Sequence, residues 1–260
     1  MKNIMTLLAM IIIVCQISIA DVKLEFKNYE NGKENESETN TAIFTPDKLK
    51  IENKNKNGKV TVIYNALKEK ITIITENDKT FMVLNKEMIA NLNKQMNGMM
   101  EQMKQQFANL PDAQRQQMEK MMSEKMGGVN VNYTVKNTGE KKKINQWNTT
   151  KYNLNANEEL KSEIWAAPYS SVGIKEEDMA VMKSFSEFMN DLLKSIPMAQ
   201  KDPFSAVYDE LKGIPIKTIN ASDNTVSELV SVKDYSATDT DFDIPTGYTE
   251  KKIPMAGGGR

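Results

Sequence analysis

The sequence predicts an α+β fold in which helical insertions interrupt an antiparallel β-sheet. Apolar and polar residues alternate along residues 21–85, as they do in half-buried strands. The breaks between the alternating runs are short and rich in turn-forming residues, which favours antiparallel neighbours. At Lys86 the apolar spacing changes to about 3.6 residues, the period of a helix.

Six strands are predicted before this change of period. In the first, Val22, Leu24 and Phe26 alternate with charged residues. The other five are expected at residues 41–44, 48–53, 59–64, 70–75 and 80–84. Because consecutive strands with short connections pair with each other, these six strands should form a meander.

The first helical insertion is predicted to be a hairpin of two methionine-rich helices. One apolar stripe contains Met88, Leu92, Met96, Met99, Met103, Phe107 and Leu110. Pro111 breaks that helix and is suited to start the next, which carries Met118, Met121, Met122 and Met126. Gly127 and Gly128 then end the hairpin.

The rest of the chain returns to strands with a second helical insertion between them. Strands are expected at residues 128–136, 142–145, 149–154 and 160–167, and later at 214–221 and 225–233. Between these groups, a helical stripe contains Met179, Met182, Phe185, Met189, Leu192 and Ile196, and a short helix covers residues 203–211. Trp147 and Trp165 are candidate core anchors. Strands on both sides of the helices predict a single domain over residues 21–249, with a tail over 250–260.

Residues 1–20 have the pattern of a secretory signal peptide. Lys2 precedes an apolar run, and Ser18 and Ala20 flank Ile19 as small residues before a cleavage site. We therefore expect cleavage near Ala20 and a periplasmic or secreted mature chain. A membrane anchor is the alternative, although the apolar run is short for the roughly 20 residues of a span. Lipidation of Cys15 is a second alternative, which the bulky Val14 before it disfavours.

The composition argues against several classes of function. The chain has no His, and its one Cys lies in the predicted signal peptide, so the mature chain has neither a thiol nucleophile nor a Cys/His zinc site. The chain has only two Arg residues, Arg115 and Arg260, and Arg is the side chain best suited to bind phosphates and base edges, so the composition disfavours nucleic-acid recognition. We expect no enzyme activity, no cofactor and no nucleic-acid partner. Membrane contact is expected to be transient or to occur through an uncleaved signal peptide.

Acidic residues offer weak alternatives to this interpretation. Asp239, Asp241 and Asp243 alternate as in a calcium loop, but Ile244 replaces the Gly that such a loop requires. The doublets Glu158-Glu159 and Glu176-Glu177 are adjacent residues whose side chains point apart, so neither forms a catalytic pair by itself.

The 18 methionines are the most unusual feature, and three interpretations are open. The stripes can simply fill a core, since methionine at helical spacing is usually packing. Thioethers are also soft ligands for Cu(I). In the third interpretation, flexible and polarizable side chains line a site for a loosely specified apolar ligand.

Four segments resemble a known family of exported bacterial proteins. They are "TGEKKKINQWNTTKYNL" (residues 138–154), "EIWAAP" (163–168), "LKGIPIKT" (211–218) and "DIPTGYTEKK" (243–252). They look like the family catalogued as domain of unknown function 4412, which is similar to periplasmic lipoprotein carriers of the LolA and LolB type. The resemblance implies a curved antiparallel sheet, a LolA-like half-barrel, with helices over its concave face and an apolar cavity. Thr149 stands where the resemblance implies a Cys. The resemblance also implies an Arg inside the cavity that latches the closed form of the lipoprotein carriers, but neither Arg of this chain lies on a predicted core strand. We therefore expect a LolA-like container without this latch.

We therefore expect an apolar ligand, such as a lipid, an acyl chain or a lipidated partner, between the sheet and the helices. The residues expected to bind it are Met96, Met99, Met100, Met103, Met118, Met121, Met122, Phe185 and Met189. The alternative is a structural or interaction protein of the cell envelope with a closed core. A hydrolase or isomerase with carboxylates in the cleft is a third hypothesis.

Overall fold

A computed structural model describes residues 21–108, 131–195 and 203–251, together with Pro111 and Gln114. The first six strands are β1 (Asp21–Glu30), β2 (Lys33–Phe44), β3 (Lys48–Asn55), β4 (Gly58–Asn65), β5 (Lys70–Thr75) and β6 (Thr80–Asn85). Helix α1 (Lys86–Ala108) precedes β7 (Tyr133–Ile144), β8 (Trp147–Ala156) and β9 (Glu159–Pro168). Helices α2 (Ala180–Ser195) and α3 (Pro203–Leu211) precede β10 (Gly213–Asn220), β11 (Val226–Tyr235) and β12 (Thr249–Glu250).

The described strands form one open sheet of twelve, in the order β12-β6-β5-β4-β3-β2-β1-β11-β10-β9-β8-β7. Strands β1 to β6 pair in chain order, as do β7 to β11, and the antiparallel pair β1–β11 joins the two meanders. The short strand β12 pairs in parallel with β6. The predicted α+β class with a large antiparallel sheet is confirmed. None of the described helices combines the length and the apolar character that crossing a membrane requires.

Two strands differ from the prediction for local reasons. Strand β2 begins at Lys33 rather than at residue 41, because a tight turn with Asn31 and Gly32 at positive φ pairs its polar first half with β1. Residues 133–144, predicted as two strands, form the single strand β7, whose pairing with β8 is irregular between Asn137 and Lys141. Gly139 has a φ of 77° there, which lets the chain bend without ending the strand.

The main core lies on one face of β1 to β6, which we call the inner face and define by Val22, Phe44, Leu49, Tyr64 and Ile71. These five side chains are at most 4% exposed. Helix α2 packs on them with the buried residues Val181, Phe185, Phe188 and Leu192. Trp147 and Trp165 are buried in the same cluster, as predicted.

The segment after β11 lies against the opposite face, which we call the outer face. Lys48 forms an ion pair of 2.6 Å with Asp239, and its ammonium lies 5.2 Å from the centre of the Phe242 ring. At the end of the segment, the backbone nitrogen of Lys251 donates to the carbonyl oxygen of Phe81 at 2.8 Å. Glu250 and Lys251, assigned to a tail by the sequence analysis, are therefore held at the edge of the sheet. Residues 252–260 lie outside the described residues.

Tyr64 connects the sheet to α2 and offers a test of this packing. Its ring lies 5.3 Å from the ring of Phe185, and its hydroxyl is 2.8 Å from the Ser184 hydroxyl. We expect Tyr64→Phe to lower the free energy of unfolding by about 1 kcal/mol, because it removes one buried hydrogen bond. Tyr64→Ala should lower it by about 3–5 kcal/mol, because it also leaves a cavity.

Urea unfolding followed by circular dichroism measures both changes. Equal losses for the two variants would contradict this account, since the ring and the hydroxyl make separate contributions.

Candidate functional site

The inner face of β1 to β6 consists of three rows of side chains that follow the strand register. Directly paired residues of antiparallel strands share a face, and every second residue of a strand returns to it. The first row contains Val22, Phe44, Leu49, Tyr64, Ile71 and Leu84. The second row contains Leu24, Ala42, Ile51, Val62, Ile73 and Met82. The third row contains Phe26, Asn40, Asn53, Val60, Thr75 and Thr80.

Burial decreases from the first row to the third. Five members of the first row are fully buried under the helices. In the second row, Leu24 and Ala42 are buried, but Ile51, Val62, Ile73 and Met82 are only half-buried. In the third row most side chains are polar, and Val60 is 36% exposed. The second row is therefore an aliphatic strip at the boundary between the core and the open part of the inner face.

An apolar cleft of about 220 Å³ opens over one end of this strip. Leu24, Phe26, Ala42 and Ile51 form part of its floor. Its walls come from helices α2 and α3, from the segment between β9 and α2, and from the start of β10. The wall residues are Tyr169, Met179, Met182, Val207, Tyr208, Leu211, Ile214 and Pro215. The lining is almost entirely aliphatic, aromatic or thioether, which suits an apolar ligand and offers few polar groups for acid-base chemistry.

Asn40, which lines the cleft, belongs to a ladder of three hydrogen-bonded asparagines. The Asn40 amide donates to the Asn28 side-chain oxygen at 3.2 Å, and the Asn53 amide donates to the Asn40 side-chain oxygen at 2.5 Å. This ladder runs across β1, β2 and β3 just beyond the second row. Because its members bond to one another, the ladder can border apolar material without leaving those amide groups unpaired.

Tyr169 is the most perturbed titratable residue of the cleft. Burial is the main cause that raises the pKa of its hydroxyl to about 12, and the nearby Tyr208 and Glu176 raise it further. The side chain therefore stays a neutral phenol at any physiological pH. It can contribute an apolar ring and a hydroxyl dipole to a bound ligand.

The residues predicted to bind the ligand fall into three groups. Met96, Met99, Met100 and Met103 belong to α1, but their side chains lie outside the described part of the structure. Met118, Met121 and Met122 lie outside the described residues altogether.

Phe185 and Met189 belong to α2 and pack into the core cluster, Phe185 directly against Tyr64. The thioethers that line the cleft are those of Met179 and Met182. They continue the helical stripe of Phe185 and Met189 toward the N-terminal end of α2. The spacing of these residues in the sequence predicted the stripe, but it did not predict which of its members line the cleft and which are buried in the core.

Two of the aspartates that resemble a calcium loop make contacts within the protein. Asp239 pairs with Lys48, and Asp241 accepts hydrogen bonds from the backbone nitrogen and hydroxyl of Thr238 at 2.8 and 2.9 Å. Within the described residues, no group of three or more His, Cys, Asp or Glu side chains is arranged to hold a metal ion.

The profile of a family described as domain of unknown function DUF4412 matches residues 86–248, which is more than half of the chain. The chain belongs to this family. The DUF4412 match begins at α1 and contains the cleft walls, whereas the aliphatic strip on β1 to β6 precedes it. No functionally curated protein matches the sequence significantly.

Solved structures show weak similarity to this DUF4412 protein. The structure of PNGF-II in the P21 space group gives a TM-score of 0.43 at 15% identity, covering 89% of this chain and 31% of that one. The chain thus spans about a third of PNGF-II. An uncharacterized conserved protein from Thermus thermophilus gives a TM-score of 0.42 at 5% identity, covering 90% of this chain and 91% of that one.

The raised pKa of Tyr169 predicts a loss of stability at high pH. An unfolded tyrosine ionises near its ordinary value of 10.0, whereas Tyr169 in the fold ionises near 12. Deprotonation therefore favours the unfolded state as the pH rises from 10 to 12, and the free energy of unfolding should fall over that interval. Tyr169→Phe should show a shallower fall, measured by urea unfolding at several alkaline pH values. Identical slopes for both proteins would contradict burial of the hydroxyl.

Proposed function

We propose that this protein is a non-enzymatic binding protein that takes up an apolar ligand in the cleft between the inner face and helices α2 and α3. The single observation that carries the proposal is the cleft itself, in which half-buried aliphatic side chains meet walls of methionine and tyrosine. The ligand is a lipid, an acyl chain or the lipid group of a partner. Its binding comes from burial of apolar surface, worth about 25 cal/mol per Å² before ordering costs.

The composition of the walls supports an adaptable site. Met179 and Met182 are unbranched, so their side chains can adjust to ligands of different shape. On the floor, Ile51 is β-branched and stiff, and Leu24 and Ala42 are buried, so the floor keeps its shape. A stiff floor with an adaptable wall suits a chain of methylene groups better than a rigid ligand.

The signal-peptide pattern of residues 1–20 and the resemblance to lipoprotein carriers support an exported setting for this function. We accordingly propose that the protein acts in the periplasm or outside the cell. The resemblance implies an apolar cavity of the LolA type, without the Arg that latches the closed form of the carriers, and this expectation agrees with the proposal.

The proposal predicts that Met182→Trp weakens ligand binding. The indole would occupy part of the cleft and displace on the order of 60 Å² of ligand surface, which corresponds to about 1.4 kcal/mol or roughly a tenfold higher Kd. Titration of the purified protein with a fluorescent fatty acid measures this change. Leu67→Trp is the matched control, because Leu67 is 80% exposed in the β4–β5 turn.

A second variant separates blocking of the cleft from misfolding. Ile51→Ser makes the floor polar at a half-buried position, and it should also weaken binding while thermal unfolding stays cooperative. Unchanged affinity in both folded variants, or no uptake of the fatty acid by the unmodified protein, would overturn the proposal.

A further inference from the structure

A polar groove of about 360 Å³ lies beside the apolar cleft. It is formed where the ends of β1 and β2 meet the ends of β10 and β11, with Lys56 contributed by the β3–β4 turn. Its lining contrasts with that of the cleft, since nearly every residue carries an amide, a hydroxyl or a charge. The cleft and the groove are thus two adjacent sites, one apolar and one polar.

The strand register makes the groove a continuation of the cleft. Phe26 lines the cleft, and Asn28, two residues further along β1, lines the groove. Asn28 pairs with Ser227, which pairs with Thr218, so these three residues share a face. The hydrogen bond of 3.2 Å from Asn40 of the cleft to Asn28 of the groove joins the two sites directly.

The charges of the groove disfavour an anionic ligand group. Glu30, Glu38 and Asp223 contribute carboxylates, against the one ammonium of Lys56 among the lining residues. Asp223 accepts hydrogen bonds from the backbone nitrogen and hydroxyl of Thr225 at 2.9 and 2.7 Å, which lower its pKa and keep it ionised. A phosphate or carboxylate placed there would meet like charges.

The neutral groups of the groove match a ligand rich in hydroxyls. Asn and Gln amides and Ser and Thr hydroxyls both donate and accept hydrogen bonds, as sugar hydroxyls do. Asn28, Thr218, Thr225 and Ser227 supply such groups along the groove. A cationic group would be attracted by the carboxylates but would accept no hydrogen bond from these amides and hydroxyls.

We infer that the natural ligand is an amphiphile whose hydrocarbon tail occupies the cleft and whose uncharged, hydroxyl-rich head group occupies the groove. This inference rests on the proposed function. The cleft of 220 Å³ is smaller than the roughly 300–1,000 Å³ of most ligand pockets, whereas cleft and groove together fall within that range. The small volume of the cleft therefore favours a ligand that extends beyond it, and the adjoining groove of 360 Å³ offers the space.

Amphiphiles that share the same hydrocarbon tail but carry different head groups test the inference. Dodecyl maltoside, dodecyl phosphate and dodecyltrimethylammonium, each below its micelle concentration, would compete with a fluorescent naphthylamine probe bound to the full chain. We expect the maltoside to bind at least roughly tenfold more tightly than the phosphate and more tightly than the ammonium compound.

Charge variants test whether the groove sets this preference. Glu38→Lys should reduce the preference for maltoside over phosphate by at least roughly threefold, because it replaces a repelling charge by an attracting one. Glu76→Lys is the matched control: Glu76 is exposed in the β5–β6 turn, and its variant should keep the preference within roughly twofold of the unmodified protein.

The outcomes separate the two proposals. If the probe and all three amphiphiles fail to bind, the proposed function fails. If they bind but the phosphate or the ammonium compound equals or exceeds the maltoside, or if Glu38→Lys changes nothing, the inference about the head group is overturned and the apolar cleft stands.

Discussion

The register of the six-stranded meander is the constraint on which the rest of the site depends. It aligns three rows of side chains on the inner face, about 7 Å apart because two residues of a strand span that length. A helix is about 10–12 Å across, so one helix cannot cover three such rows. Helix α2 buries the row that contains Leu49 and Tyr64, and the row of Ile51 and Val62 is left at its border.

This geometry also explains why methionine lines the cleft. A wall of leucine would pack in one arrangement, which suits a closed core. Met179 is 2% exposed and Met182 is half-buried, so the thioethers pass from the core into the cleft within one turn of helix. Under the proposed function, they would pack against the protein when the cleft is empty and against a ligand when it is filled.

The sequence predicted the parts of the fold that depend on local patterns. Alternation in β1 identified Leu24 and Phe26 as inward-facing, and short turns between β3, β4, β5 and β6 predicted their pairing. The polar first half of β2 was missed, because its pairing follows from the Asn31-Gly32 turn and not from any alternation of its own.

The residues that line the cleft could not be predicted from local sequence patterns, because they come from distant parts of the chain. Its floor comes from β1 to β3, but Tyr169, Tyr208 and Pro215 reach it only because β1 pairs with β11, some two hundred residues later in the chain. Neither strand carries a local signal for that partner. The sequence predicted an apolar site under the helices, and the predicted helical stripe contained Met179 and Met182. Only the register shows where this stripe meets the open part of the sheet.

The contrast between the second and third rows bears on the choice between a binding protein and a closed structural one. Ile51, Val62 and Ile73 are half-buried, and polar residues would be tolerated at such positions if the face only met water. One step along each strand pair, Asn53 and Thr75 are polar, and Asn53 belongs to a ladder of amides that bond to one another. The change from aliphatic to polar side chains therefore occurs at the third row of β2, β3, β5 and β6, whereas β4 keeps Val60 there and β1 changes one step later, from Phe26 to Asn28. Under the proposed function, the apolar part of a ligand would end near this boundary and a polar group would begin beyond it.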